Sequence, residues 1–178
     1  GAMVFYPPET RENGNQFNLV SDGSYTDFIL SMDWRIAENG NSGVMWGVNE
    51  IDSLGQPYLT GPEIQVLDNE GHPDGKNGTS HQAGALYDMV SPNQDVTKPV
   101  GEWNTMVITI NHKTNEGSVE LNGKTVVEFS VNDPEWGEMV VNSKFADWEH
   151  FAKYPTGKIA LQDHGDGVAY KNIKIKEL

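Results

Sequence analysis

Cysteine, basic residues and long apolar runs are absent or scarce in this chain of 178 residues, and each absence excludes a class of function. Without cysteine there are no disulfides and no thiol catalysis. Lysine and arginine number 12 against 26 acidic residues, for a formal net charge of −14. Such a chain repels nucleic acid and anionic membrane surfaces, so neither is an expected partner. No apolar run approaches the roughly 20 residues that cross a bilayer, and we expect no membrane insertion.

The composition that remains is typical of a turn-rich globular fold. Glycine occurs 19 times and proline 9 times, and 37% of the residues are hydrophobic, enough for a real core. The length fits one domain, and we expect a single β-sandwich domain over 1–178. Residues 1–3, Gly-Ala-Met, resemble a remnant of an expression tag.

Short segments with period-two alternation recur along the chain and are separated by turn signals. They predict strands at 28–36, 42–48, 63–67, 106–111, 118–121, 124–129, 158–162 and 168–175. Two longer connections, 69–82 and 134–155, are candidate rims of a cleft, and the second is expected to hold a short helix around 144–151. No helical period of any length lies between the strands, so the pattern predicts an antiparallel sandwich or barrel.

The strand at 63–67 has a polar and an apolar face. Glu63 and Gln65 point to one side and Ile64 and Val66 to the other, so the apolar pair is expected between sheets and the polar pair in a cleft. A bulge at the end of the strand would return Asp68 to the polar face. The alternative interpretation is an ordinary solvent-exposed strand face.

Three further features could contribute chemistry. Asp163 and His164 follow a predicted strand, where a carboxylate can orient an imidazole, although such a pair is more often a turn. His72 and Asp68 could help to bind a divalent cation, but their spacing matches no strong metal motif. Trp46 lies on a glycine-rich strand and could stack on a sugar, with core packing as its alternative role.

An ordered set of short motifs over nearly the whole chain resembles the 3-keto-disaccharide hydrolase family. The central motif is Gly-Pro-Glu-Ile-Gln-Val-Leu-Asp at 61–68. The others are Asp-Trp-Arg-Ile at 33–36, Asn-Ser-Gly-Val at 41–44, His-Pro-Asp at 72–74, Gly-Ala-Leu-Tyr-Asp at 84–88, Gly-Glu-Trp-Asn at 101–104, Ser-Lys-Phe at 143–145 and Gly-Lys-Ile-Ala-Leu-Gln-Asp-His-Gly at 157–165. The chain departs from the family in its divergent residues 4–24 and in Lys171, where an arginine is usual.

The resemblance implies an all-β, two-sheet antiparallel jelly-roll sandwich of the concanavalin A-like lectin and glucanase type. It implies cleavage of glycosides whose sugar has a ketone at C3, by elimination and hydration or by hydrolysis, in a cleft on one sheet. It also implies a bacterial protein of the periplasm or the cell exterior, with carbohydrate as its partner and no certain cofactor beyond a candidate divalent cation. The implied residues are Glu63 and His164 as acid and base in either order, Gln65, Trp46, Tyr87, Asp163 and Lys144 for substrate, and Asp68 and His72 for a cation.

Two alternatives are weighed against this interpretation. The spacing of Glu63, Gln65 and Asp68 is similar to the Glu-x-Asp-x-x-Glu strand of family 16 glucanases, but an amide replaces the central carboxylate. A retaining glycosidase needs two carboxylates about 5 Å apart, so the departure argues against that mechanism. A non-catalytic carbohydrate-binding module is the second alternative, since lectins share the fold. Such a module would need no acid–base pair such as Glu63 and His164.

Overall fold

Ten antiparallel strands in two sheets form the architecture of the computed structural model, which describes residues 1–10 and 15–178. The strands are β1 (Met3–Phe5), β2 (Leu19–Tyr25), β3 (Phe28–Ile36), β4 (Asn41–Val48), β5 (Glu63–Leu67), β6 (Asn104–Asn111), β7 (Glu116–Leu121), β8 (Lys124–Phe129), β9 (Gly157–Leu161) and β10 (Val168–Glu177). One sheet has the order β1-β10-β3-β6-β7-β8 and the other β2-β9-β4-β5. The all-β, two-sheet antiparallel fold expected from the sequence is confirmed.

The core lies between the two sheets and follows from the alternation of the strands. In β3 every second residue, from Phe28 through Trp34 to Ile36, is buried while the residues between them are half-exposed. From the smaller sheet, Ile64 and Val66 enter the same core. Complete burial of one such side chain stabilises the fold by about 1.5–3 kcal/mol. Because β5 commits these two side chains to the core, its neighbours Glu63 and Gln65 must face the other way.

Three elements differ from the sequence prediction. The helix of the long connection is α1 (Glu135–Val141), and the expected position at 144–151 is wrong. Glu135 and Glu138 lie in the first turn of α1, where acidic side chains favour a helix start, whereas 144–151 forms successive turns. Strands β1 and β2 were not predicted. The first has three residues, and the second contains a polar stretch at 21–24 where its register shifts.

The free edge of β5 is covered by a segment that runs beside it. The Gln65 N–H donates to Ala85 O (3.1 Å), Gly84 N–H donates to Gln65 O (2.9 Å), and Tyr87 N–H donates to Glu63 O (2.9 Å). These bonds satisfy an edge that would otherwise be unpaired. They also fix Tyr87 alongside Glu63.

The described residues contain no helix with the length and apolar character needed to cross a membrane.

Candidate functional site

A cavity of about 220 Å³ lies against the face of the four-stranded sheet that turns away from the core. Its lining includes Glu63, Gln65, Tyr87, Lys144 and His164, which the sequence analysis identified in four separate segments. Strand β5 supplies the first two, the edge segment supplies Tyr87, and the loops after α1 and β9 supply the others. The fold therefore brings residues that are up to 101 positions apart into one pocket.

Glu63 is the most perturbed carboxyl group of this cavity. Its side chain is 8% exposed, and no described residue forms a hydrogen bond with its carboxyl group. Burial raises the pKa of Glu63 to about 8, against a smaller lowering by the Lys144 charge and with a small further increase from Asp74. At neutral pH this carboxyl group is therefore protonated and can donate a proton.

The space that Glu63 occupies depends on a glycine in the neighbouring strand. Gly43 of β4 pairs with Gln65 of β5, two pairs along from the pair of Met45 with Glu63. A Cβ atom built at Gly43 would lie only 1.8 Å from Glu63 Oε1. The carboxyl group thus lies directly over the bare backbone of β4, a position that any side chain at 43 would close.

His164 lies at the rim of the cavity, in a turn shaped by Asp163. The Asp163 carboxylate accepts a hydrogen bond from Gly165 N–H (2.9 Å) and another from Phe17 N–H (2.7 Å). Asp163 is buried and is not among the residues that line the cavity. It organises the turn, and the contact with substrate that the sequence analysis expected of it is not supported by its position. The surrounding protein lowers the pKa of His164 by displacing water, and Asp166 partly opposes the effect. The imidazole is therefore neutral at neutral pH.

Tyr87 and Lys144 are held by a hydrogen-bonded network that the sequence did not reveal. The Tyr87 hydroxyl donates to Asp74 Oδ2 (2.8 Å), and the His81 ring lies between Asp74 Oδ1 (2.8 Å) and Asp88 Oδ1 (3.0 Å). The Lys144 backbone N–H donates to Asp88 Oδ2 (2.7 Å), and its ammonium lies 4.1 Å from the centre of the Tyr87 ring. Burial and the bond to Asp74 raise the pKa of Tyr87, which stays protonated.

Trp46 does not line this cavity. Its ring is 5% exposed and packs between the sheets, 6.0 Å from the ring of Phe129 and 6.4 Å from that of Trp136. The expected stacking surface must be corrected, because the alternation of β4 sends Trp46 into the core. The aromatic lining of the cavity comes instead from side chains such as Tyr58 and Trp148, whose rings are 6.2 Å apart.

Asp68 and His72, the two residues expected to bind a cation, have different roles in the structure. Asp68 accepts hydrogen bonds from the backbone N–H of Asn39 (2.8 Å) and Gly71 (2.9 Å), so both of its oxygens stabilise a loop.

His72 instead approaches another histidine and a different aspartate. Among the described residues, one group of three could offer ligand atoms within 4.8 Å of one another, namely His72, His164 and Asp166. However, His72 Nδ1 accepts a hydrogen bond from Asp74 N–H (3.1 Å), which leaves the proton of a neutral ring on Nε2. One ring nitrogen is occupied and the other is protonated, so this arrangement does not fit a cation.

Comparison with known proteins agrees with the architecture. The sequence profile of the family described as "3-keto-alpha-glucoside-1,2-lyase-like domain" matches residues 1–176. A Bacteroides thetaiotaomicron protein named 3-keto-disaccharide hydrolase is 32% identical over 94% of this chain, which covers 64% of that protein's length. Two crystal structures of candidate glycosyl hydrolases from Parabacteroides distasonis are also similar. One has a TM-score of 0.87 at 29% identity, covering 99% of this chain and 80% of the other, and the second 0.72 at 27%, covering 98% and 93%.

Proposed function

Because the chain belongs to the 3-keto-alpha-glucoside-1,2-lyase-like family, we propose that it is an enzyme that cleaves glycosides whose sugar has a ketone at C3. The observation that carries the proposal is Glu63, a buried carboxyl group without a hydrogen-bond partner at the cavity, with its pKa raised to about 8. An acid that keeps its proton at neutral pH is what the departure of a sugar's leaving group requires.

The chemistry begins at C2 of the sugar. A ketone at C3 acidifies the C2 proton, because the electron pair left behind is delocalised onto the ketone oxygen as an enolate. When the C3 carbonyl re-forms, the pair makes a C1–C2 double bond and the C1–O bond to the leaving group breaks. Addition of water then places hydroxyl at C1 and hydrogen at C2, which completes a net hydrolysis. The reaction needs a base, an acid and a positive charge near the enolate oxygen.

Three cavity residues match these requirements. His164, whose pKa is lowered, is neutral and can take the C2 proton. Glu63, whose pKa is raised, can protonate the leaving oxygen. The Lys144 ammonium lies beside them and can stabilise the enolate. Environments that separate the pKa values of two groups in this way are characteristic of acid–base pairs.

The test is incubation with methyl and nitrophenyl 3-keto-glucosides and with their unoxidised parents, in D₂O, followed by NMR. We expect cleavage of the keto compounds only, with deuterium at C2 of the product, because water adds to an enone. Cleavage without deuterium at C2 would contradict the elimination route. A wild-type protein that binds every keto-glycoside and cleaves none would instead be a carbohydrate-binding module.

The proposed location is the periplasm or the cell exterior, where such glycosides arrive before uptake. Cell fractionation with an antibody against the protein tests this location, and recovery only with cytoplasmic markers would contradict it.

A further inference from the structure

Three glutamines around the cavity have side-chain oxygens without hydrogen-bond partners. In residues 1–10 and 15–178, four buried side-chain polar atoms lack a partner, and three of these are the amide oxygens of Gln16, Gln65 and Gln162. All three residues line the cavity that contains Glu63. The fourth atom is the indole nitrogen of Trp34 in the core. Because unpaired buried polar groups are costly, their concentration around one cavity indicates that the cavity receives a polar ligand.

The glutamines come from three segments, two of which meet at Gly43. Gln65 of β5 is the register partner of Gly43, and the Gln162 backbone N–H donates to Gly43 O (2.9 Å) from the other side. Since Gly43 has no side chain, the two amides flank the bare backbone over which the Glu63 carboxyl group lies. Gln16 arrives from the segment before β2, which the bond from Phe17 N–H to Asp163 holds in place.

Two of the three amides are almost completely enclosed. Gln65 is 1% exposed and Gln162 is 9% exposed. Neither amide makes a side-chain hydrogen bond to any described residue, so packing alone holds them beside the cavity. Polar side chains fixed in this way are prepared for a partner that enters from solution.

We propose that Gln16, Gln65 and Gln162 form a hydroxyl-binding subsite that fixes the sugar ring beside the Glu63 carboxyl group. The inference rests on the proposed function and deepens it, because it assigns the side of the cavity that recognises the substrate. An amide has one acceptor and two donor hydrogens, and rotation by 180° exchanges them. A hydroxyl group also donates and accepts, so it satisfies either end.

The experiment replaces each enclosed glutamine by methionine, which has similar length and no hydrogen-bonding amide. Gln65→Met and Gln162→Met should each weaken binding of methyl 3-keto-α-glucoside at least about tenfold, as loss of a hydrogen bond to substrate implies. The same changes should raise the Tm of the free protein by about 2–4 °C, because they remove an unpaired buried oxygen. If either glutamine had only a structural role, its replacement by methionine would instead lower the Tm.

Gln82→Met is the matched control. Gln82 is half-buried, lies outside the cavity, and its amide already donates to Gly75 O (3.3 Å). Its replacement should lower the Tm slightly and leave sugar affinity unchanged. Binding is measured by calorimetry in the Glu63→Gln background, so that the probe is not consumed.

Analogues identify the hydroxyl groups that the subsite recognises. At least one of the 2-, 4- and 6-deoxy forms of the probe should lose about tenfold in affinity for the glutamine-intact protein and little for Gln65→Met or Gln162→Met. Unchanged affinity in both variants, or equal affinity for all analogues, would overturn the subsite even if keto-glycosides are cleaved. Loss of affinity in the variants, in a protein that cleaves no keto-glycoside, would support the subsite and end the proposed function. No binding of any probe would overturn both.

Discussion

Replacement of Glu63 by glutamine tests the proposed acid through activity and stability together. The amide keeps the size of the side chain and removes its transferable proton. Proton transfer by a positioned group typically contributes 10²–10⁴-fold, so we expect turnover of a 3-keto-glycoside to fall at least about 100-fold while binding persists.

The effect on stability can be calculated from the pKa of Glu63. The ordinary value is 4.5 and the folded value is about 8, so the folded protein holds this proton more tightly than the unfolded chain. The contribution to stability is therefore complete below pH 4.5, declines as the pH rises towards 8, and is constant above it. At about 1.4 kcal/mol for each pH unit, wild type loses about 3 kcal/mol by pH 7 and about 5 kcal/mol by pH 9.

Glu63→Gln has no such proton to lose. We expect it to match wild type within about 1 kcal/mol at pH 4 and to exceed it by about 3 kcal/mol at pH 7 and about 5 kcal/mol at pH 9. Urea unfolding at the three pH values measures the difference, and Glu120→Gln, an exposed carboxyl group on β7, is the matched control. A difference between wild type and Glu63→Gln that does not change with pH would refute the raised pKa. Full turnover by the variant would refute the role in catalysis.

Three other outcomes follow from the cavity. The pH profile of kcat/KM should be bell-shaped, falling at acidic pH, below the ordinary range of a histidine, as His164 gains a proton and falling again near pH 8 as Glu63 loses its own; a profile that is flat from acidic pH to above pH 8 would contradict the pairing. Gly43→Ala should reduce turnover at least about 100-fold because its methyl group displaces the Glu63 carboxyl group, whereas Gly55→Ala, with open space around it, should have wild-type activity. Dialysis against EDTA should leave turnover unchanged, because His72 has no free nitrogen for a cation; restoration of lost activity by Mn²⁺ or Zn²⁺ would show that this reasoning is wrong.

The sequence predicted the parts of the fold that local alternation determines. The orientation of β5 follows from Ile64 and Val66, whose burial leaves Glu63 and Gln65 on the opposite face, and the structure has this orientation. The same alternation, applied to β4, would have placed Trp46 in the core beside Val44. The expectation of a sugar platform there relied on residue type where strand geometry was the stronger signal.

Contacts between distant segments could not be predicted in this way. His81 belongs to no motif, yet it lies between Asp74 and Asp88 because one loop returns along the edge of β5. Gln16 precedes β2 and reaches the cavity only through the pairing of β2 with β9. Neither position can be predicted from the periodicity of the sequence, because each depends on where the chain folds back.

The size of the cavity has a consequence for the range of compounds that the protein would process. At about 220 Å³ it is smaller than the roughly 300–1,000 Å³ of pockets that enclose drug-sized ligands, so it can surround one sugar ring and little more. On the proposed chemistry, the group attached at C1 would remain in bulk water throughout the reaction. Such an enzyme would be specific for the sugar ring that it binds and would accept a wide range of leaving groups, whether a second sugar, a plant phenol or a synthetic dye.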